Sequence, residues 1–241
     1  ASLAQSEKVM SDNSFFRVSQ DVSFLNQANW GGYYGLNNLI FYSSNSFPVY
    51  RQWLRELEYS EVSWNNRWVR LNMRSPVNTL LNVKYYAMRK ASGKVEPYGF
   101  EEVDRVQNGK NTDIILENQY ALPIGYTYDS YLLRSEYESL SSVEKQEALL
   151  QSVMLEEKPS FNTIEEGNFD ITSEKIPFEI TETDGVSWKD GTLKVSKENA
   201  TMTLEFEGVP NTNLFLRIVN LDLTSGASTR RWTLSATVGK Q

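Results

Sequence analysis

Residues 100–117 read FEEVDRVQNGKNTDIILE. Two strand-like runs flank Asn108-Gly109, and Asn-Gly in that setting is a strong local signal for a β-hairpin. The stretch therefore fixes an antiparallel pair in the first two-thirds of the chain. On its N-terminal side, FFRVS (15–19) has strand character. In VYRQWLRELEYS, behind Pro48, Val49, Trp53, Leu54 and Leu57 recur at three-to-four spacing, which predicts a short amphipathic helix opened by proline. Ser75-Pro76 marks a second helix start before VNTLLNV. The chain then turns into KYYAMRK, where Val83, Tyr85 and Ala87 alternate as in a strand that Gly93 ends.

On the C-terminal side of the hairpin, LENQYALPIGYTYDSYLL is aromatic and broken by Pro123 and Gly125. SSVEKQEALLQSVMLE then predicts the best helix of the chain. Ser141 and Glu144 form a capping box, Val143, Leu149, Leu150, Val153 and Met154 supply an apolar face, and the helix ends before Pro159. After Phe161 helical periodicity stops. FEIT, SWKD, GTLKVS, ATMTLEFEG, NLFLRIVNLDL and RRWTLSATV are short strand-like runs, separated by Asp184-Gly185, Asp190-Gly191, Asn199 and Pro210-Asn211. Strands at about ten-residue spacing imply a sandwich or jelly roll.

The fold class is therefore α+β: an N-terminal mixed α/β region with an antiparallel hairpin and a few helices, followed by a C-terminal β-sandwich of jelly-roll type. The expected divisions are a frayed, small and polar lead-in over 1–13, a mixed domain over 14–160 and a β-sandwich over 161–241. A sheet of about five strands is small for a sandwich, so its continuation past residue 241 is expected.

The chain has 241 residues, 40% of them hydrophobic, enough for a substantial core. No apolar run approaches the roughly 18 to 20 residues that span a bilayer, and no basic stretch leads into an apolar one as in a signal peptide. A soluble piece with any membrane anchor outside it is the expectation. The net charge of −7 and the lack of a Lys/Arg block argue against nucleic acid as a partner. There is no cysteine and no histidine. Thiolate nucleophiles, histidine bases, Ser-His-Asp triads and His/Cys metal sites are thereby excluded for this segment.

Carboxylates remain. Glu101, Glu102 and Asp104 cluster, as do Glu156, Glu157, Glu165 and Glu166. A glycosidase needs two carboxylates about 5 to 10 Å apart, but adjacent acids ordinarily form a solvated face. TETDG at 181–185 is too short for a calcium loop. No phosphate-cradling glycine loop occurs, because Asn29-Trp30-Gly31-Gly32 lacks the lysine that would follow it. No catalytic residue, metal or cofactor is assigned.

The aromatic residues carry more. ANWGGYYGLNNLIFYSS (28–44) mixes Trp30, Tyr33, Tyr34, Phe41 and Tyr42 with Gly, Asn and Ser. Tyr and Trp offer a flat apolar face and a polar tip, which suits the C–H face and hydroxyl edge of a sugar. Trp30, Tyr33, Tyr34, Asn37 and Asn38 are the candidate ligand-binding residues here, joined by Tyr126 and Tyr128 of Tyr126-Thr127-Tyr128-Asp129. The competing reading puts half of these rings in the core. In SWNNRWVRLNMRSP (63–76), Arg67 and Arg70 are candidates for a local phosphate-holding patch, with Arg17, Arg51 and Arg74 as further cations. The competing reading pairs these arginines with the many carboxylates.

FFRVSQD, NWGGYYGLNNLIFYSS, NTLLNVKYYAMRK, LENQYALPIGYTYDSY and LSSVEKQEALLQSVMLE form an ordered series. Over roughly residues 14–240 it resembles the extracytoplasmic part of the bacterial YfhO family of polytopic membrane proteins. Asn82 stands where the family usually has Gly, and Gln119 where Pro is common. The resemblance implies a GT-C-type glycosyltransferase parent, a polyprenyl-phosphate sugar donor, and glycosylation of lipoteichoic acid or a related surface polymer in Gram-positive bacteria. The catalytic carboxylate of such enzymes lies near the membrane helices, so none is carried over to this chain. The implied role is a non-catalytic extracytoplasmic domain that binds acceptor or gives structural support. Its implied partners are the transmembrane part of the same polypeptide and a glycan or teichoic acid polymer. A freestanding secreted carbohydrate-binding module or glycosidase-like protein is the alternative.

Overall fold

A computed structural model describes residues 2–21, 29–40, 47–59, 71, 73–89, 96–160, 164–167 and 169–218. The expected hairpin is its centre: β4 (Phe100–Asn108) and β5 (Asn111–Asn118) pair antiparallel, closed by Asn108↔Asn111. The two loop residues are Gly109 and Lys110. Gly109, at the first central position, supplies the positive φ of 63° that a two-residue turn of primed type needs.

β3 (Val83–Arg89) lies antiparallel to β5, β1 (Arg17–Gln20) runs parallel to β3, and the short β2 (Asn37–Asn38) runs parallel to β1. The five-stranded order is β2-β1-β3-β5-β4. Both faces of this sheet are covered. Tyr85, Ala87 and Ile115 face a cluster with Leu3, Val9, Phe16, Val18 and Trp30, while Tyr86, Met88, Ile114 and Leu116 pack with Phe100. Burial on both faces explains why VKYYAMR reads as a nearly continuous apolar run.

The helices confirm most of the start signals. α3 (Pro48–Glu56) has proline in its first turn and buries Leu54; Leu57 is buried just after it, but Val49 is 79% exposed. α4 (Ser75–Leu80) leads through Leu81-Asn82 into β3, and Asn82 adopts φ 57°. That left-handed turn is why glycine or asparagine suits this position. The capping box of α6 (Ser142–Gln151) is present, with Ser141 accepting from the Glu144 N–H and Glu144 accepting from the Ser141 N–H. The helix ends earlier than its apolar run implied. Val153–Leu155 form β7, which pairs parallel with β6 (Ser130–Leu133), and β8 (Glu165–Glu166) lies on the other side of β6. Ser142, Gln146 and Ala148 are its buried positions, whereas Leu150 is exposed. The short α5 (Arg134–Ser139) precedes it and buries Tyr137.

Residues 2–10 are not a frayed lead-in. Leu3 and Val9, on either side of the start of α1 (Glu7–Met10), are each 1% exposed and belong to the sheet's core. Ser2 donates to the fully buried Asp113 at 2.6 Å and Ser6 to Asp104 at 2.5 Å. The segment is small and polar because its serines dock carboxylates of β4 and β5.

The chain divides into two compact units. One comprises Ala1–Ile171 and resumes at Asn213; the other is Thr172–Thr212. Within the second, β9 (Glu179–Asp184) pairs with β12 (Thr201–Glu205), and β10 (Val186–Lys189) pairs with β11 (Thr192–Val195). Both ladders are antiparallel and two-stranded, in keeping with the strand-rich reading of this region. The jelly-roll closure expected there is not seen among the described residues.

Candidate functional site

Within the Gly/Asn/aromatic run, the described residues 29–40 hold the five-residue helix α2 (Trp30–Tyr34) and then β2, at the edge of the sheet. Two of its glycines are fixed by geometry. A Cβ on Gly31 would sit 2.4 Å from the carbonyl oxygen of Leu36, and Gly35 ends the helix at φ 68°. This tight return sorts the rings. Trp30 is 7% exposed and packs in the core, its indole N–H buried without a hydrogen-bond partner among the described residues. Tyr33 is 90% exposed and Tyr34 46%. The Tyr34 ring stands 6.1 Å from that of Trp30, tilted by 57°. Asn37 pairs with Arg17 in the parallel ladder, and its Nδ2 donates to the Phe16 carbonyl at 3.0 Å. Asn38 closes a local turn, donating to the Ile40 carbonyl and accepting from the Ile40 N–H, each at 3.0 Å.

Beside this edge lies a half-open depression of about 140 Å³, walled by Asp12, Ser14, Phe16, Gly35, Leu36 and Asn37 among others. Asp12 belongs to the 1–13 stretch that sequence reasoning set aside, and Ser14 directly follows it. The pattern Asp12-Asn13-Ser14 was the available signal, since an Asp side chain readily bonds the backbone two residues on. Asp12 Oδ1 accepts from the Ser14 N–H at 2.9 Å and the Ser14 hydroxyl at 2.7 Å. Its Oδ2 accepts from Lys84 Nζ at 2.6 Å and from the Tyr85 hydroxyl at 2.9 Å. Burial alone would raise the Asp12 pKa; the hydrogen bonds from Lys84, Ser14 and Tyr85 outweigh it and hold the carboxyl well below the usual range.

The other expected site residues lie elsewhere. Tyr126 and Tyr128 stack edge-on at 5.4 Å, and their hydroxyls donate to the Leu80 carbonyl at 3.4 Å and the Leu149 carbonyl at 2.6 Å. Burial raises the Tyr128 pKa. Among the described residues no ring contact joins this pair to Tyr33 or Tyr34. Arg67 and Arg70 lie outside the described residues. Arg17 donates to the Leu81 carbonyl at 3.0 Å, and Arg51 is also engaged. Arg74 donates to the Leu57 and Glu58 carbonyls and covers the Tyr59 ring at 4.0 Å. The acids are engaged in the same way: Glu102 with Arg105, Glu156 with Arg134, and Glu166 with the Tyr131 hydroxyl.

Fold and edge together define a mixed α+β segment that presents an aromatic, amide-rich rim. Among the described residues no helix is long and apolar enough to cross a membrane. The chain belongs to the YfhO family: the family model described as "Bacterial membrane protein YfhO" matches residues 1–237. It is similar to the Bacillus subtilis (strain 168) protein described as "Uncharacterized protein YfhO", with 29% identity over 138 residues. That match covers 53% of this chain and 15% of the relative. No solved structure matches the chain.

Proposed function

We propose that this chain is an extracytoplasmic, non-catalytic portion of a glycosyltransferase-like membrane protein. It assists transfer of sugar onto lipoteichoic acid or a related surface polymer by holding the acceptor. The observation that carries this reading is the Tyr33–Tyr34–Asn37 edge. Tyr33 is almost wholly exposed, Tyr34 half so, and the Asn37 amide is pinned beside them. Large rings left in water next to a fixed amide are what a sugar ring and its hydroxyls need. The absence of histidine and cysteine supports a contact role for this segment. Membership in a family of bacterial membrane proteins favours this reading over a freestanding secreted module.

A bracing role is the second reading. It draws on the cations bound within the fold, such as Arg217, which pairs with Glu58 and ties the returning segment at 213–218 to the residues after α3. The test is made in cells that depend on the parent protein. Tyr33→Ala with Tyr34→Ala should lower the sugar content of the surface polymer severalfold at unchanged protein level. Full sugar content in that double variant would rule out the acceptor role and leave bracing.

A further inference from the structure

We infer that the depression between Asp12 and Asn37 is a subsite for one neutral sugar ring of the acceptor, selecting the glycosyl unit instead of the polymer's phosphodiester. This rests on the acceptor-holding reading and names the part of the polymer that is held. Size comes first. At about 140 Å³ the depression falls well below the roughly 300 to 1,000 Å³ of sites for larger ligands, so it takes a single ring. Its position follows from the chain, since Gly35 and Asn37 of its wall come directly after Tyr34 of the exposed edge.

The chemistry of the wall gives an anion no cation to bind. Asp12 carries its charge there, and among the described residues no lysine or arginine lines the depression. Lys84 is committed to Asp12 at 2.6 Å. All four acceptor positions of the Asp12 carboxylate are filled by Ser14, Lys84 and Tyr85, so Asp12 shapes the wall and takes no ligand proton. Acceptors for ligand hydroxyls remain in two places. The Ser14 hydroxyl donates to Asp12, accepts from Lys84 Nζ at 3.4 Å, and keeps one lone pair. The Asn37 amide is oriented by its bond to the Phe16 carbonyl, which requires Nδ2 on that side and leaves Oδ1 to accept. Two fixed neutral acceptors in a mostly polar wall fit the hydroxyls of one ring and offer a phosphate no cation.

The experiment is a titration of the 241-residue chain, followed by amide chemical shifts, with a methyl hexopyranoside and, separately, glycerol phosphate. The hexoside should saturate shifts at Ser14, Gly35 and Asn37, and glycerol phosphate should leave them unmoved. Asn37→Ala should weaken hexoside binding at least tenfold. Gly35→Asn should abolish it without unfolding the chain, because Asn tolerates the left-handed φ of 68° and a Cβ there meets open space. Saturation by glycerol phosphate, no shift with the hexoside at tens of millimolar, or full binding by Gly35→Asn would overturn the subsite. The two failures are separable. Hexoside binding together with full polymer glycosylation in the Tyr33/Tyr34 variant sinks the acceptor role alone. A loss of polymer sugar in that variant without any hexoside binding sinks the subsite alone.

Discussion

The Tyr85 hydroxyl donates to Asp12 Oδ2 at 2.9 Å, joining the loop after α1 to the central strand across 73 residues of sequence. Lys84, the preceding residue, binds the same oxygen at 2.6 Å. This pair of bonds holds one wall of the depression.

Removing one bond is distinct from removing its acceptor. Tyr85→Phe loses a single hydrogen bond and should cost about 0.5–1.5 kcal/mol. Asp12→Ala leaves Lys84, Tyr85 and Ser14 without their shared acceptor and should cost about 1–3 kcal/mol. At about 2–4 °C per kcal/mol for a chain of this size, differential scanning calorimetry resolves the two. Equal midpoints for both variants would contradict a shared hub at Asp12.

Glu58 makes a pH prediction with a definite sign. Arg217 lowers its pKa first, burial opposes, and the Ser142 hydroxyl lowers it further, so that it falls from the ordinary 4.5 to about 2. A carboxyl with a depressed folded pKa stabilises the fold above its unfolded value, and that contribution is lost as pH falls through the folded one. The thermal midpoint should therefore drop between about pH 4.5 and pH 2, and Glu58→Gln should flatten this acid limb. An unchanged limb in Glu58→Gln would show that the ion pair with Arg217 contributes nothing in solution.

Adjacent glycines should answer differently to the same change. Gly31→Ala drives a methyl group against the Leu36 carbonyl at 2.4 Å and Asn38 Cβ at 2.7 Å, so α2 must shift away from β2. A loss of about 1–3 kcal/mol is expected, as for overpacking in general. At Gly32 a Cβ meets nothing within 4 Å, and alanine should be neutral or slightly stabilising. Denaturant midpoints of the two variants check this, and equal losses would contradict the close approach.

Rings three residues apart also separate core from surface. Trp30→Ala should cost about 3–5 kcal/mol, as aromatic truncations in cores do. Tyr33→Ala should leave the midpoint unchanged within about 0.5 kcal/mol, as an exposed substitution does. A stable Trp30→Ala variant would place that ring outside the core.

The sequence reading succeeded where local chemistry decides structure. The hairpin signalled by Asn108-Gly109 (its turn falling one residue on, at Gly109-Lys110), proline at the start of α3 and the Ser141–Glu144 box each act within a few residues, and each is present. It failed where partners are distant. Nothing within ASLAQSEKVMSD announces that Ser2 meets Asp113 and Ser6 meets Asp104, 111 and 98 residues away. Val153 continued an apolar run that looked helical, but parallel pairing of β7 with Tyr131–Leu133 took it into a strand. At the site, composition marked the aromatic run, but its sorting into the buried Trp30 and the exposed Tyr33 is a tertiary property set by the Gly31 contact. Asp12, and its partner Ser14 with it, escaped notice because the first thirteen residues carry too little apolar pattern to register as folded.

The most direct test of a contact role is equilibrium binding of the purified chain to isolated, sugar-bearing surface polymer. The expected result is saturable binding without release or transfer of sugar, weakened at least tenfold by Tyr33→Ala with Tyr34→Ala at an unchanged thermal midpoint. Equal binding by the double variant, no binding at millimolar polymer repeat, or sugar transfer by the chain alone would contradict it.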